Sequence, residues 1–178
     1  MSEEDRDLVP FILKARALVS QGRIDDALKL YEDILKAAPE NTVAYADRGT
    51  AYAMARKTDL ALKDLNRAIA LGYSDVSIYC TIGMIYFELN DYQEALGYFE
   101  KAIEVKPDYP FTYHNRASVY EALGDFNAAV ADLERCLTFG PNDALRKKLK
   151  DRISQCRLQA NLRRSRPPQG SLPSGKSS

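Results

Sequence analysis

VSIYCTIGMIYFELNDYQEALGYFEKAIEVKPDY, residues 76–109, decides the fold. Tyr79, Ile82, Gly83 and Tyr86 follow one another at steps of three, one and three, and Ala95, Phe99, Ala102 and Ile103 form a second such series. Steps of three and four gather residues on one face of a helix, whereas a half-buried strand would alternate. Between the two faces stand Asn90, which tolerates the left-handed conformation that ends a helix, and Asp91, which can cap the next one. Pro107 stops the second helix. These 34 residues read as two amphipathic helices, A and B, joined by a short turn.

The same reading extends in both directions. Residues 8–41, 42–75 and 110–143 align with 76–109 without gaps. Tyr45/Tyr52, Tyr79/Tyr86 and Tyr113/Tyr120 recur at an interval of 34, with Phe11/Leu18 as the upstream copy. Ala27, Ala61, Ala95 and Ala129 keep that interval, as do Pro39, Pro107 and Pro141, with Tyr73 in the missing slot. Ala15, Gly49, Gly83 and Ala117 share a small-residue slot on helix A where helices must approach closely. Gly22 and Gly124 share the turn slot with Asn90, and Asp125 is a further cap; repeat 2 has Arg56-Lys57 instead, so Thr58 is its expected cap. Pro110 opens a helix where a missing N–H costs nothing, and Pro10 is expected in the first turn of the first helix for the same reason. Units of this length stack so that each covers its neighbour's apolar face. Residues 144–164 read as one more helix, capped by Asn142 or Asp143, with a stripe of Leu145, Leu149, Ile153, Cys156 and Ala160 that covers the last repeat. Residues 1–7 are charged and expected to be loose; SRPPQGSLPSGKSS, 165–178, has the composition of a disordered tail.

The motifs resemble the tetratricopeptide repeat family, whose pattern is W-x2-L-G-x2-Y, A-x3-F and P at period 34. Repeat 3 matches as Tyr79-x2-Ile82-Gly83-x2-Tyr86, Ala95-x3-Phe99 and Pro107, with Tyr in place of Trp; the chain has no Trp. Repeat 2 departs at Tyr73 and repeat 4 at Ala117 and Leu133; repeat 1 is the most divergent, with Lys14 and Leu18 in usual Leu and Tyr slots. The resemblance covers residues 8–143. It implies an all-α fold: a right-handed superhelical solenoid of four helical hairpins, here with a C-terminal capping helix.

Charge divides the chain. Lys+Arg and Asp+Glu both total 25, yet residues 144–178 hold ten Lys/Arg and one acid, leaving 15 basic and 24 acidic residues in 1–143. The reading preferred here is a solvated helix face whose charge offsets the acidic body; the alternative is a segment that binds a phosphate-bearing or otherwise acidic partner. No aromatic residues interleave with these charges, so base stacking is not indicated and nucleic acid is not an expected partner. Cys80, Cys136 and Cys156 match no metal or CxxC spacing. The acidic N-terminus lacks an apolar signal core, and no apolar run is long enough for a membrane span, so a cytoplasmic location is expected.

Little in the sequence suggests catalysis. There is one histidine, no Gly-rich phosphate loop and no nucleophile motif, and neither a cofactor nor a metal is implied. Cys80 and His114 occupy one slot in successive repeats, which places a thiol and an imidazole on adjacent helices; the reading preferred here is that both line a groove. The expected role is a non-enzymatic scaffold or adaptor. By the family resemblance, the helix A stripe beside the tyrosine face lines the concave surface: Val9, Ile12, Leu13 and Arg16 in repeat 1; Val43, Ala46, Asp47, Thr50 and Met54 in repeat 2; Ser77, Cys80, Thr81, Met84 and Phe87 in repeat 3; and Phe111, His114, Asn115, Ser118 and Ala122 in repeat 4, with Asp47, Thr50, Met54, Cys80, Thr81, Met84, Phe87, Phe111, His114, Asn115 and Ser118 as the expected site. Apolar members outnumber charged ones, which suits an apolar or amphipathic peptide or helix. Family co-chaperones hold an acidic chaperone C-terminus with a Lys/Asn/Arg clamp; here the matching slots read Ile12 and Arg16, Asp47, then Ser77 and Thr81, which is not a clamp.

Overall fold

A computed structural model of the chain describes residues 3–165, with the side chains of 7–165. Nine α-helices and no strand occur among the described residues. They pair as hairpins: α1 (Glu3–Ser20) with α2 (Ile24–Ala37), α3 (Thr42–Met54) with α4 (Thr58–Ala70), α5 (Val76–Glu88) with α6 (Tyr92–Val105), and α7 (Pro110–Leu123) with α8 (Phe126–Thr138); α9 (Asp143–Arg164) packs on α8. The all-α helical repeat expected from the sequence is the fold observed.

The turns repeat as faithfully as the faces. Gly22, Arg56, Asn90 and Gly124 occupy one slot, and all four are left-handed, with φ of 77, 57, 62 and 73°. Asp91 and Asp125 cap the following helices through Glu94 N (3.4 Å) and Ala128 N (3.1 Å), and Asn142 caps α9 through Leu145 N (2.9 Å). Repeat 2 differs from expectation. Lys57 is the N-cap of α4 and supplies no side-chain bond, while Thr58 is already the first helical residue. With a Cβ, Arg56 bears a left-handed cost that Gly would not. Arg56→Gly is expected to raise stability by about 1–2 kcal/mol, read as a higher urea midpoint. Where repeat 2 lacks the terminating proline, Gly72 (φ 92°) ends α4, donating to Ile69 O at 2.9 Å.

The N-terminus needs a correction. Helix α1 starts at Glu3, inside the segment expected to be loose, so Pro10 lies within the helix and not in its first turn. Pro10 is exposed, where water can take the carbonyl that its missing N–H leaves unpaired. The tail expected to be disordered lies, beyond Ser165, outside the described residues.

The tyrosine ladder packs, and in two repeats it also clasps a charge. Arg48 binds Asp64 through two bonds (2.6 and 3.0 Å), with its guanidinium 5.7 and 5.8 Å from the rings of Tyr45 and Tyr52. Arg116 does the same with Asp132 (2.8 and 2.8 Å), between Tyr113 and Tyr120. Each pair ties helix A to helix B of one hairpin. Repeat 3 carries Ile82 and Tyr98 in these slots; Ile82 is fully buried and Tyr98 stacks on Tyr86 at 5.5 Å.

Helix α9 sits in the register of a fifth helix A. Its buried residues Leu149, Ile153 and Cys156 join Tyr113, Ala117, Ala129, Leu133 and Cys136 in one core. The slots of Tyr113, Arg116, Ala117 and Tyr120 read Lys147, Lys150, Asp151 and Ser154 one repeat later, and all four are exposed. A face this polar offers no apolar surface to a further helix B, and among the described residues none packs on it.

Candidate peptide-binding groove

The A helices α1, α3, α5 and α7 present the stripe beside the tyrosine face. One slot along it holds Val9 (38% exposed), half-buried Val43, exposed Ser77, Phe111 (63%) and Leu145 (44%). Two cavities lie at its ends. One of about 490 Å³ is lined by Val9, Ile12, Leu13, Arg16 and Val43; the other, about 220 Å³, by Phe111, His114, Phe139, Leu145 and Leu149. A third, of about 320 Å³, is bordered by Arg16, Asp47, Thr50 and Met54.

The slots beside this row behave differently. Cys80 and Asn115, expected on the open surface, are buried, as are Ile12 and Ala46. Cys80 faces the neighbouring A helix, its Sγ 3.2 Å from Thr112 Oγ1, across from α5 to α7. Burial raises the Cys80 thiol above its ordinary pKa. His114 has a different partner, Arg152, so the thiol and the imidazole do not form a nucleophile–base pair.

Charged contacts close the stripe at both ends. Arg16 donates from Nε and a terminal nitrogen to Asp47 at 2.6 and 3.2 Å, linking α1 to α3. Burial raises the Asp47 carboxyl pKa against the opposing pull of Arg16. At the far end Arg152 of α9 reaches Glu121 (2.7 Å), Ser118 (2.8 Å) and His114 Nε2 (3.1 Å). Arginine only donates, so His114 Nε2 accepts and the neutral ring carries its proton on Nδ1. Burial, then the Arg152 charge, lowers the His114 pKa, in keeping with that form. His114 and Ser118 are thus engaged by the capping helix.

Of the remaining residues, Met54 is 59% exposed. Met84 and Phe87 are half-buried against the core of Phe99 and Val119, and Phe87 also meets Tyr92 at 5.9 Å. Thr50 and Thr81 donate to the carbonyls of Ala46 and Ser77 on their own helices, both at 2.9 Å. Val9 and Leu13 of the expected stripe line the cavity at one end, while Leu145, expected to cover the last repeat, is 44% exposed and lines the cavity at the other.

Repeat models described as tetratricopeptide repeat match residues 12–75 and 47–111, and a second such model matches 82–154. The chain belongs to the tetratricopeptide repeat family. RNA polymerase II-associated protein 3 of Mus musculus is 33% identical over 95 residues, a stretch that is 53% of this tetratricopeptide repeat chain and 14% of that protein. The chain therefore spans only a small part of this relative. PilF of Pseudomonas aeruginosa superposes with a TM-score of 0.77 at 16% identity, covering 95% of this chain and 80% of that one, a likeness of fold. The first repeat domain of Spaghetti (RPAP3), bound to the HSP90 peptide SRMEEVD, superposes with a TM-score of 0.62 at 27% identity over 66% of this chain and 94% of that one. Tetratricopeptide repeat proteins act as protein-interaction scaffolds, and this neighbour binds a peptide. Among the described residues, no helix is long and apolar enough to cross a membrane.

Proposed function

We propose that this chain is a non-enzymatic scaffold or adaptor that holds a peptide or helix of a partner protein along the concave face of its A helices. The observation that carries the reading is the exposed apolar residues at both ends of this row, with Phe111 63% exposed and a cavity at each end. An isolated exposed apolar residue needs no explanation, but a register of them with cavities usually has a use. Packed helices lie about 8–10 Å apart, so two cavities three A-helix steps apart are separated by roughly 25–30 Å. An extended segment of roughly eight or nine residues, at about 3.3 Å each, spans that distance. The preferred ligand is therefore an extended segment with apolar anchors near both ends.

An acidic C-terminal peptide such as SRMEEVD fits less well. Arg16 spends its charge on Asp47, Asn115 is buried, and Ser77 and Thr81 offer no positive charge. Charge-assisted recognition of a carboxylate needs several paired donors.

The test uses the two most exposed members of the stripe, since Met84 and Phe87 also serve the core. Met54→Glu and Phe111→Glu should leave the unfolding midpoint nearly unchanged. In pull-downs from cell extract, each should lose the partners that wild type retains, and direct titration with a captured partner should weaken about tenfold or more, the loss expected when an anchor is replaced by a charge. Identical partner sets and affinities for wild type and both variants would refute groove binding.

A further inference from the structure

We propose that the clasp of Arg152 on His114, Ser118 and Glu121 is a pH-sensitive latch, which holds the capping helix α9 on α7 near neutral pH and loosens it when His114 takes up a proton. Three arginine nitrogens cross from α9 to α7: Nε to Glu121 at 2.7 Å, one terminal nitrogen to Ser118 Oγ at 2.8 Å and the other to His114 Nε2 at 3.1 Å. Ser118 Oγ in turn donates to His114 O at 3.3 Å, and Cys156 Sγ of α9 donates to Glu121 at 3.2 Å. Guanidinium nitrogens only donate, so each needs an acceptor opposite. Neutral imidazole supplies one. The imidazolium does not, because both of its ring nitrogens carry hydrogen. Protonation therefore sets one N–H against another and places a second positive charge beside the guanidinium.

The surroundings of the ring do not offset that charge. Burial and then Arg152 hold the His114 pKa below its ordinary value, against the weaker pull of a hydrogen bond to Asn115 and of Glu121 on its own helix. Glu121 already serves Arg152 and Cys156. Helix α8 contributes the Cys136 thiol across the shared cavity, pushed up to about 11, and α5 carries Cys80 in the same slot one repeat earlier, its thiol also raised, so both stay neutral in this range. Lys148 fills that slot on α9, is exposed and is itself positive. Helix α6 packs on another side of α7, through Phe99 and Val119. Because the ring's pKa is lowered by folding, the folded chain binds fewer protons than the unfolded one. The latch is complete above about pH 6.5 and is lost as pH falls through the lowered value. Leu149 and Ile153 still bury themselves in the last core, so acid loosens α9 without unfolding the chain. Leu145 and Leu149 of α9 also wall the cavity that holds Phe111 and His114, so the same step alters that end of the concave face.

His114 is the one histidine of the sequence, so NMR of the full chain reads its ring unambiguously. The neutral ring should carry its proton on Nδ1, and its titration midpoint should lie below about 6.5. Amide hydrogen exchange over residues 149–156, corrected for the intrinsic effect of pH, should show protection falling several-fold along the same titration. In His114→Gln, which keeps an acceptor but does not titrate, that protection should stay level over the same range. Arg152→Gln should move the His114 midpoint up towards about 6.5. A ring protonated on Nε2, or a wild-type midpoint at or above about 6.5, overturns the proposal. So does α9 protection that stays level in wild type, or that falls equally in His114→Gln. No partner enters these measurements, so they stand or fall apart from groove binding.

Discussion

Asp132→Ala is expected to destabilise the chain by about 3–5 kcal/mol, the cost of leaving a mostly buried charge without its partner. Arg116 and Asp132 keep only 18% and 7% of their side-chain surfaces exposed, and two bonds of 2.8 Å join them. Without the carboxylate, the guanidinium is left against the rings of Tyr113 and Tyr120, with Glu100 acting on it from a distance. The exposed edge of Arg116 can still meet water, which argues for the lower end of that range. Repeat 3 supplies the matched comparison, because it fills the same two slots with Ile82 and Tyr98 and packs them without charge. Arg116→Ile/Asp132→Tyr should therefore recover to within about 1 kcal/mol of wild type, since apolar replacement of a whole buried pair is often neutral. Chemical denaturation of the single and double variants measures both. Equal losses for the single and the double variant would mean that the repeats are not interchangeable in this slot.

Gly83→Leu should cost about 1–3 kcal/mol through overpacking. A Cβ at Gly83 would lie 2.9 Å from Phe99 Cε1 and 3.0 Å from Cζ, and Phe99 is fully buried with little room to yield. The equivalent Gly49 faces Leu65 Cγ at 2.7 Å and its backbone N at 3.1 Å, so there even the main chain of α4 would have to move. Each kcal/mol lowers the Tm of a chain this size by about 2–4 °C. Gly97→Ala is the control: its Cβ enters open space, and a helical alanine is favoured over glycine by about 0.5–1 kcal/mol. An unchanged midpoint for Gly83→Leu would contradict the close packing of α5 on α6.

Both experiments probe features that differ in how far they could be read in advance. The small-residue slot was legible, because close helix approach leaves a period of Ala and Gly in the chain. The ion pairs were not, although Arg48 and Arg116 stand two repeats apart, as do Asp64 and Asp132. Each pair bridges 16 residues across two helices, and its arginines stand in slots where the family pattern asks for leucine. Thr58 was misread as a cap because Arg56, unlike Gly or Asn, does not advertise the left-handed turn it adopts.

The binding stripe was legible as a face and less so as a surface. Phe111 lines the cavity at one end, and Asp47 and Met54 border the third cavity. Cys80 and Asn115 belong to the same stripe but are buried, Cys80 against Thr112 of the next A helix. His114 and Ser118 are claimed by Arg152, 38 and 34 residues away. A one-dimensional pattern gives the direction in which a side chain leaves its helix; it does not say what lies opposite.

The sequence alone determined the repeat length, the helix faces, the left-handed turns at Gly22, Asn90 and Gly124 and the all-α family, because each depends on residues within a few positions of one another or on an exact 34-residue register. Only the tertiary structure decided which members of the A-helix stripe remain open and which charges are spent in pairs. Those outcomes depend on residues brought together from different helices, where a carboxylate, a guanidinium or an apolar wall sets the environment of a side chain tens of positions away.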